Sequence, residues 1–182
     1  MLEREIKLQF ESVEAARAAV ARTGATPIRP RRLQEDSLLD TADDELRRRR
    51  CVLRVRMEAG KSFLTFKGPV QPAMAKLREE LETRIDDGPL LLRMFEELGF
   101  RVWFRYQKYR EEFARDNVII AIDETPVGIF VEIEGGDHGI AEVTDALGRG
   151  PGDYLRDSYR RLFVRHCKQR GIPVTNMLFD DE

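Results

Sequence analysis

Glu3, Glu5 and Lys7 stand at alternate positions near the N-terminus. On an extended strand alternate side chains share a face, so these three project together. Leu2, Ile6 and Leu8 fall on the other face, with Arg4 as the charged exception. Two carboxylates can hold a hard divalent cation or orient water, and an ammonium can neutralise an anion. The pattern returns along the chain, sorted by charge. Arg54 and Arg56 pair in one stretch, and Lys108 and Arg110 in another. Glu80 with Glu82, and Glu132 with Glu134, are paired carboxylates; Lys67 and Asp123 add one charge each. A sheet that merely shows its polar face to water predicts a loose mixture with Ser, Thr and Gln. Sorted acids and bases suit a polyphosphate with bound metal. Guanidinium and ammonium groups neutralise phosphate oxygens, and carboxylates hold Mg²⁺ or Mn²⁺, which also binds the phosphates.

These residues need strands to align them. Alternation predicts strands over 2–8, Gln34–Thr41, Cys51–Met57, Lys61–Gly68, Leu77–Ile85, Arg101–Phe113, Val118–Asp123 and Ile129–Glu134. In the sixth, Tyr106, Lys108, Arg110 and Glu112 share one face, opposite Trp103, Tyr109 and Phe113. Helices are expected over Ser12–Ala21, with Ser12 as N-cap and Gly24 as the stop, and from Pro89 to Gly99. Two more are expected over Ile140–Leu147 and Tyr154–Gln169, the last with Tyr159, Leu162, Phe163 and a structural His166 on one stripe. Residues 25–32, with two prolines and three arginines, read as a loop, as do 41–50 and 69–76. The arginine run 47–50 reads as a solvated loop, with a substrate lid as the lesser reading.

Closing such a sheet would bring every charged face into one lumen. A barrel of about eight strands has room for its side chains or one small ligand. Burying unpaired ions costs several kcal/mol each, so acids, bases, metal and ligand must compensate one another there.

Composition narrows the rest. The 182 residues suffice for a sizeable core and are read as one domain, 1–182. Charged residues reach 35%, yet net charge is only −2, which argues against a nucleic-acid partner. No apolar run approaches the roughly 20 residues of a membrane span, and the N-terminus lacks the apolar core of a signal peptide. Two cysteines, Cys51 and Cys167, make no metal-type spacing, and two histidines are too few for a His-rich metal site. A metal would be held by carboxylates. The chain is read as cytoplasmic, and a homodimer is expected from base rates alone.

The ordered motifs resemble the CYTH family, the triphosphate tunnel metalloenzymes that include class IV adenylyl cyclases and thiamine triphosphatases. Glu3-x-Glu5-x-Lys7 matches its N-terminal signature. The likeness continues through Asp36–Thr41, Leu53–Arg56, Leu64–Pro69, Arg78–Glu82, Lys108–Arg110, Asp123, Phe130–Gly135 and Ser158-Tyr159. It implies an α+β fold: an antiparallel eight-stranded closed tunnel with helices packed outside. It further implies that Lys7, Arg54, Arg56, Lys67, Lys108 and Arg110 grip a triphosphate. Glu3, Glu5, Glu132 and Glu134 would hold Mg²⁺ or Mn²⁺, with Glu82 and Asp123 as further ligands. Glu5, Lys7, Glu80 and Asp123 form the expected catalytic set. The leading expectation is metal-dependent hydrolysis of a triphosphate: tripolyphosphate, thiamine triphosphate or a nucleoside triphosphate. The alternative is a class IV adenylyl cyclase. A non-catalytic polyphosphate binder is disfavoured, because an anion site gains nothing from acids.

Overall fold

The computed structural model describes residues 2–73 and 75–180. Among these, eight antiparallel strands close into a barrel. They are β1 (Leu2–Phe10), β2 (Thr26–Thr41), β3 (Val52–Glu58), β4 (Lys61–Lys67), β5 (Lys76–Ile85), β6 (Phe100–Arg115), β7 (Val118–Thr125) and β8 (Gly128–Glu134). Around the barrel they run β1-β5-β4-β3-β2-β6-β7-β8. Helices α1 (Val13–Arg22), α2 (Glu45–Arg48), α3 (Gly88–Glu97), α4 (Asp137–Ala146) and α5 (Tyr159–Arg170) lie around it. No helix among the described residues is long and apolar enough to cross a membrane.

Local chemistry sets the element ends. The Ser12 hydroxyl accepts from the Ala15 N–H and opens α1. Ala59 and Gly60, both with positive φ, turn the chain between β3 and β4, as a two-residue hairpin requires. Asp40 accepts from the N–H groups of Leu46 and Arg47, which pins α2 to the end of β2.

The barrel wall has two apolar sides. Outside, Ile6, Leu8, Ile120, Ile122, Val131 and Ile133 pack under Ala16 and Val20 of α1 and Ile140 and Val143 of α4. Inside, the lumen is polar along most of its length, but one end is not. There Leu38, Phe104, Tyr106 and Phe130 meet Tyr159, Leu162, Phe163 and Cys167 of α5, with Met177 beside them. Thus α5 stops one end of the lumen with an apolar plug. The tail after it pairs with β6: Met177 N–H donates to Arg105 O at 3.0 Å, and Gln107 N–H to Met177 O at 2.9 Å.

The structure corrects four expectations. Residues 25–32 are mostly strand, because β2 starts at Thr26. Its first half pairs with β6 alone and shifts register around Pro27 and Arg29. Prolines are tolerated there because the free edge needs no N–H and bulges absorb the misfit. Residues 45–48 form α2 rather than a bare turn, and the run 47–50 does not line the lumen. Arg47 bonds Asp40 and stacks over Trp103. Lys76 belongs to β5, not to the preceding loop. The last helix begins at Tyr159, not Tyr154: Ser158 caps it, and Leu155 N–H bonds Lys7 O at 2.8 Å. His166 is half-buried on α5.

Candidate active site in the barrel lumen

Because side chains alternate, every strand turns one row inward. From β1 come Glu3, Glu5 and Lys7; from β3, Arg54 and Arg56; from β4, Lys67; from β5, Glu80 and Glu82; from β6, Lys108 and Arg110; from β8, Glu132 and Glu134. All of them line one cavity of about 620 Å³. Asp123 does not reach that surface. It is fully buried in the wall and accepts from Lys108 Nζ at 2.8 Å, Arg110 Nε at 2.7 Å and the Tyr159 hydroxyl at 2.5 Å. These three side chains hold its oxygens in this structure.

The lumen is graded along its axis. Glu5 faces Glu134 across the β1–β8 ladder, Lys7 faces Glu132, and Gln9 faces Phe130 at the plug. Along this seam two carboxylates face each other at the far end, and the base Lys7 enters one step nearer the plug. At the plugged end Lys7 and Lys108 lie 4.5 and 4.9 Å from the centre of the Tyr159 ring, so one aromatic floor carries two ammonium groups. Lys7 also pairs with Glu132 at 2.7 Å, and Arg110 contacts both Asp123 and Glu132. Beside them Asp36 receives Arg56 at 2.9 Å and lies 3.4 Å from Arg54. Thr65 donates to Glu82 at 2.8 Å and accepts from Arg54 at 3.1 Å.

At the acid end Lys67 Nζ lies 2.7 Å from Glu3 and 2.8 Å from Glu80. Arg78 reaches Glu3 at 3.3 Å, and Lys76 contacts Glu5.

These neighbours set the protonation states. Burial raises Glu132, but Lys7, Lys108 and Arg110 outweigh it and hold the carboxyl well below the usual range. For Glu5 burial is likewise outweighed, chiefly by Lys76. Burial together with the Arg110 charge pushes Lys108 down to about 8. Glu134, still exposed to solvent, goes the other way: partial loss of water around it and the negative charges of Glu3, Glu5 and Glu80 push it up to about 7. Carboxylates crowded until one holds its proton near neutrality are a hard-oxygen donor set short of positive charge. Its chemistry fits a divalent cation held by oxygen. No three His, Cys, Asp or Glu side chains among the described residues converge as a ready coordination sphere, since bases draw the acids apart.

Lys76, Arg78, Asp36 and Tyr159 are the site residues that sequence reasoning left without a role. Lys76 and Arg78 share parity with Glu80 and Glu82, so extending that alternation backward points to them. Tyr159 shows no such signal, because it comes from a helix beyond the last strand.

The CYTH domain profile matches residues 1–151, most of the chain. The chain belongs to the CYTH family. The CYTH match stops before α5, so the aromatic floor lies outside it. A Methanocaldococcus jannaschii protein provisionally named an adenylate cyclase, MJ0240, is 29% identical over 173 residues, covering 89% of this chain and 98% of its own. Among solved structures, PH1819 of Pyrococcus horikoshii OT3 superposes with a TM-score of 0.77 at 25% identity, over 90% of this chain and 99% of that one. A Hippeastrum protein provisionally named an adenylyl cyclase, HpAC1, and described as having a dominant triphosphatase activity, shares the fold with a TM-score of 0.62 at 18% identity. It covers 94% of this chain and 97% of its own.

Proposed function

We propose that this CYTH protein hydrolyses a triphosphate-containing small molecule with the help of Mg²⁺ or Mn²⁺. The observation that carries the reading is the grading of one lumen, with bases over a closed aromatic floor and crowded carboxylates at the other end. Lys7, Arg54, Arg56, Lys108 and Arg110 hold phosphate oxygens, the arginines through planar forks and the lysines as point charges. Asp123 and Asp36 keep those bases in register from behind. Glu3, Glu5 and Glu134 are the residues to hold the cation, with Glu132 adjoining them and Glu82 further off beside Thr65 and Arg54. Bound there, a divalent ion supplies Lewis-acid neutralisation of the phosphate charge. Glu80, next to Lys67, and Glu5 orient the attacking water, and the bases stabilise charge on the departing diphosphate.

The second reading is a class IV adenylyl cyclase, favoured by the provisional name of the Methanocaldococcus relative. In that case the same cradle presents the α-phosphate to the ribose 3′-hydroxyl. The Hippeastrum protein of the same fold, described as having a dominant triphosphatase activity, supports the hydrolase reading. One paired assay separates them. The protein is incubated with ATP and with tripolyphosphate, each with Mg²⁺ and with Mn²⁺. Orthophosphate release from either is the expected result. Cyclic AMP with pyrophosphate supports the cyclase instead, and tight binding without turnover removes both.

A further inference from the structure

Two cations on β5 sit on the carboxylates assigned to the metal. Lys76 is opposite Glu5 in the β1–β5 ladder, and Arg78 is opposite Glu3. Lys76 Nζ contacts Glu5 Oε1, and both side chains are 11% exposed. The two pairs differ in a telling way. Glu3 also has Lys67 at 2.7 Å, whereas the ion pair of Glu5 is with Lys76. An ammonium and a divalent ion cannot both rest on one carboxylate oxygen, because like charges a few ångströms apart repel strongly when poorly solvated. A cation entering beside Glu5 must therefore move Lys76. The side chain can move: it lines the cavity, and a lysine stem is flexible.

We propose that Lys76 is an exchangeable counter-cation. It neutralises Glu5 while no metal is bound, yields that carboxylate to an incoming divalent ion, and turns its ammonium toward the anion in the lumen. This rests on the metal and triphosphate reading above. It makes the uptake of metal and anion mutually supportive, since each removes what the other would repel.

The test is Mn²⁺ binding followed by electron paramagnetic resonance of the free ion, with no substrate present. Lys76→Met should bind Mn²⁺ roughly tenfold tighter than wild type, the scale on which removal of one neighbouring charge acts. Arg78→Met should change affinity less, because Lys67 still holds Glu3. Calorimetry with non-hydrolysable imidotriphosphate at saturating Mn²⁺ should show Lys76→Met binding the anion more weakly. Opposite signs in the two titrations distinguish exchange from a structural role, which would weaken both. Unchanged or weaker Mn²⁺ binding by Lys76→Met overturns the exchange alone. A wild type that takes up no Mn²⁺ overturns the metal reading and the exchange with it. If Lys76→Met does not fold, wild type decides. On adding Mg²⁺ the Lys76 ammonium ¹⁵N resonance, assigned through Lys76→Arg, must shift; a resonance that stays in place overturns the proposal.

Discussion

At the level of single residues, two groups titrate where solution experiments can see them. Lys108 ordinarily loses its proton near 10.5 but here near 8, through burial and the neighbouring Arg110. A neutral amine no longer attracts phosphate, so tripolyphosphate affinity should fall as pH rises through about 8. Lys108→Arg should remove that fall, and calorimetry at pH 7 and 9 measures both. Glu134 ionises near 7 rather than 4.5. Between those values the folded chain holds a proton that the unfolded chain has released, so metal-free protein should lose stability as pH rises across the interval. Glu134→Gln should flatten that loss in thermal scans at pH 5 and 8. Below about pH 7 the same proton competes with the cation, so Mn²⁺ binding should weaken. Turnover should vanish in Glu5→Ala with the fold retained but the melting temperature lowered, because Lys76 is left without its carboxylate. Wild-type rates in that variant would remove Glu5 from the site.

Among the elements, α5 does most for the site after the strands. Its first residue, Tyr159, contributes the floor ring and a hydroxyl to Asp123. The cap at Ser158, whose hydroxyl accepts from Arg161 N–H at 3.3 Å, fixes where that ring falls. Ser158→Ala should lower stability by about 1 kcal/mol, as loss of an N-cap does, and should fray the floor. Tyr159→Phe keeps the ring and removes only the hydroxyl to Asp123. It should raise KM for tripolyphosphate more than it lowers kcat, because Lys108 and Arg110 lose part of their anchoring while the acid end is untouched. An unchanged KM would mean that Asp123 holds the bases without help.

Over the whole molecule, closure turns the strand faces into one site. The only charges that β8 alone turns inward are acids, and its register with β1 sets Lys7 against Glu132. The plug then excludes water from one end and leaves the charges poorly screened, which strengthens every pair inside. Met177, fully buried against the plug, ties the C-terminal tail to that arrangement. Met177→Ala should destabilise by about 2–5 kcal/mol, the range for a large side chain removed from a core. Chemical denaturation measures it, and a change under 1 kcal/mol would show that the tail does not hold the plug.

The alternation of charged and apolar residues is a property of each strand taken separately. For that reason the inward rows, the sorting of bases from acids and the closed lumen are all legible in the order of the amino acids. The prolines of β2 mislead because their tolerance depends on which neighbour a strand lacks, and that is settled only by pairing. Lys76 is hidden by a boundary placed one residue late, and Asp123 by its parity, which puts it on the inward row without saying how deep it lies. Partners are a matter of three dimensions. That Glu5 is held by Lys76, that Asp123 is gripped by Lys108, Arg110 and Tyr159, and that a tyrosine from a distant helix forms the floor follow from register and packing between segments far apart in the chain. No local pattern encodes those distances.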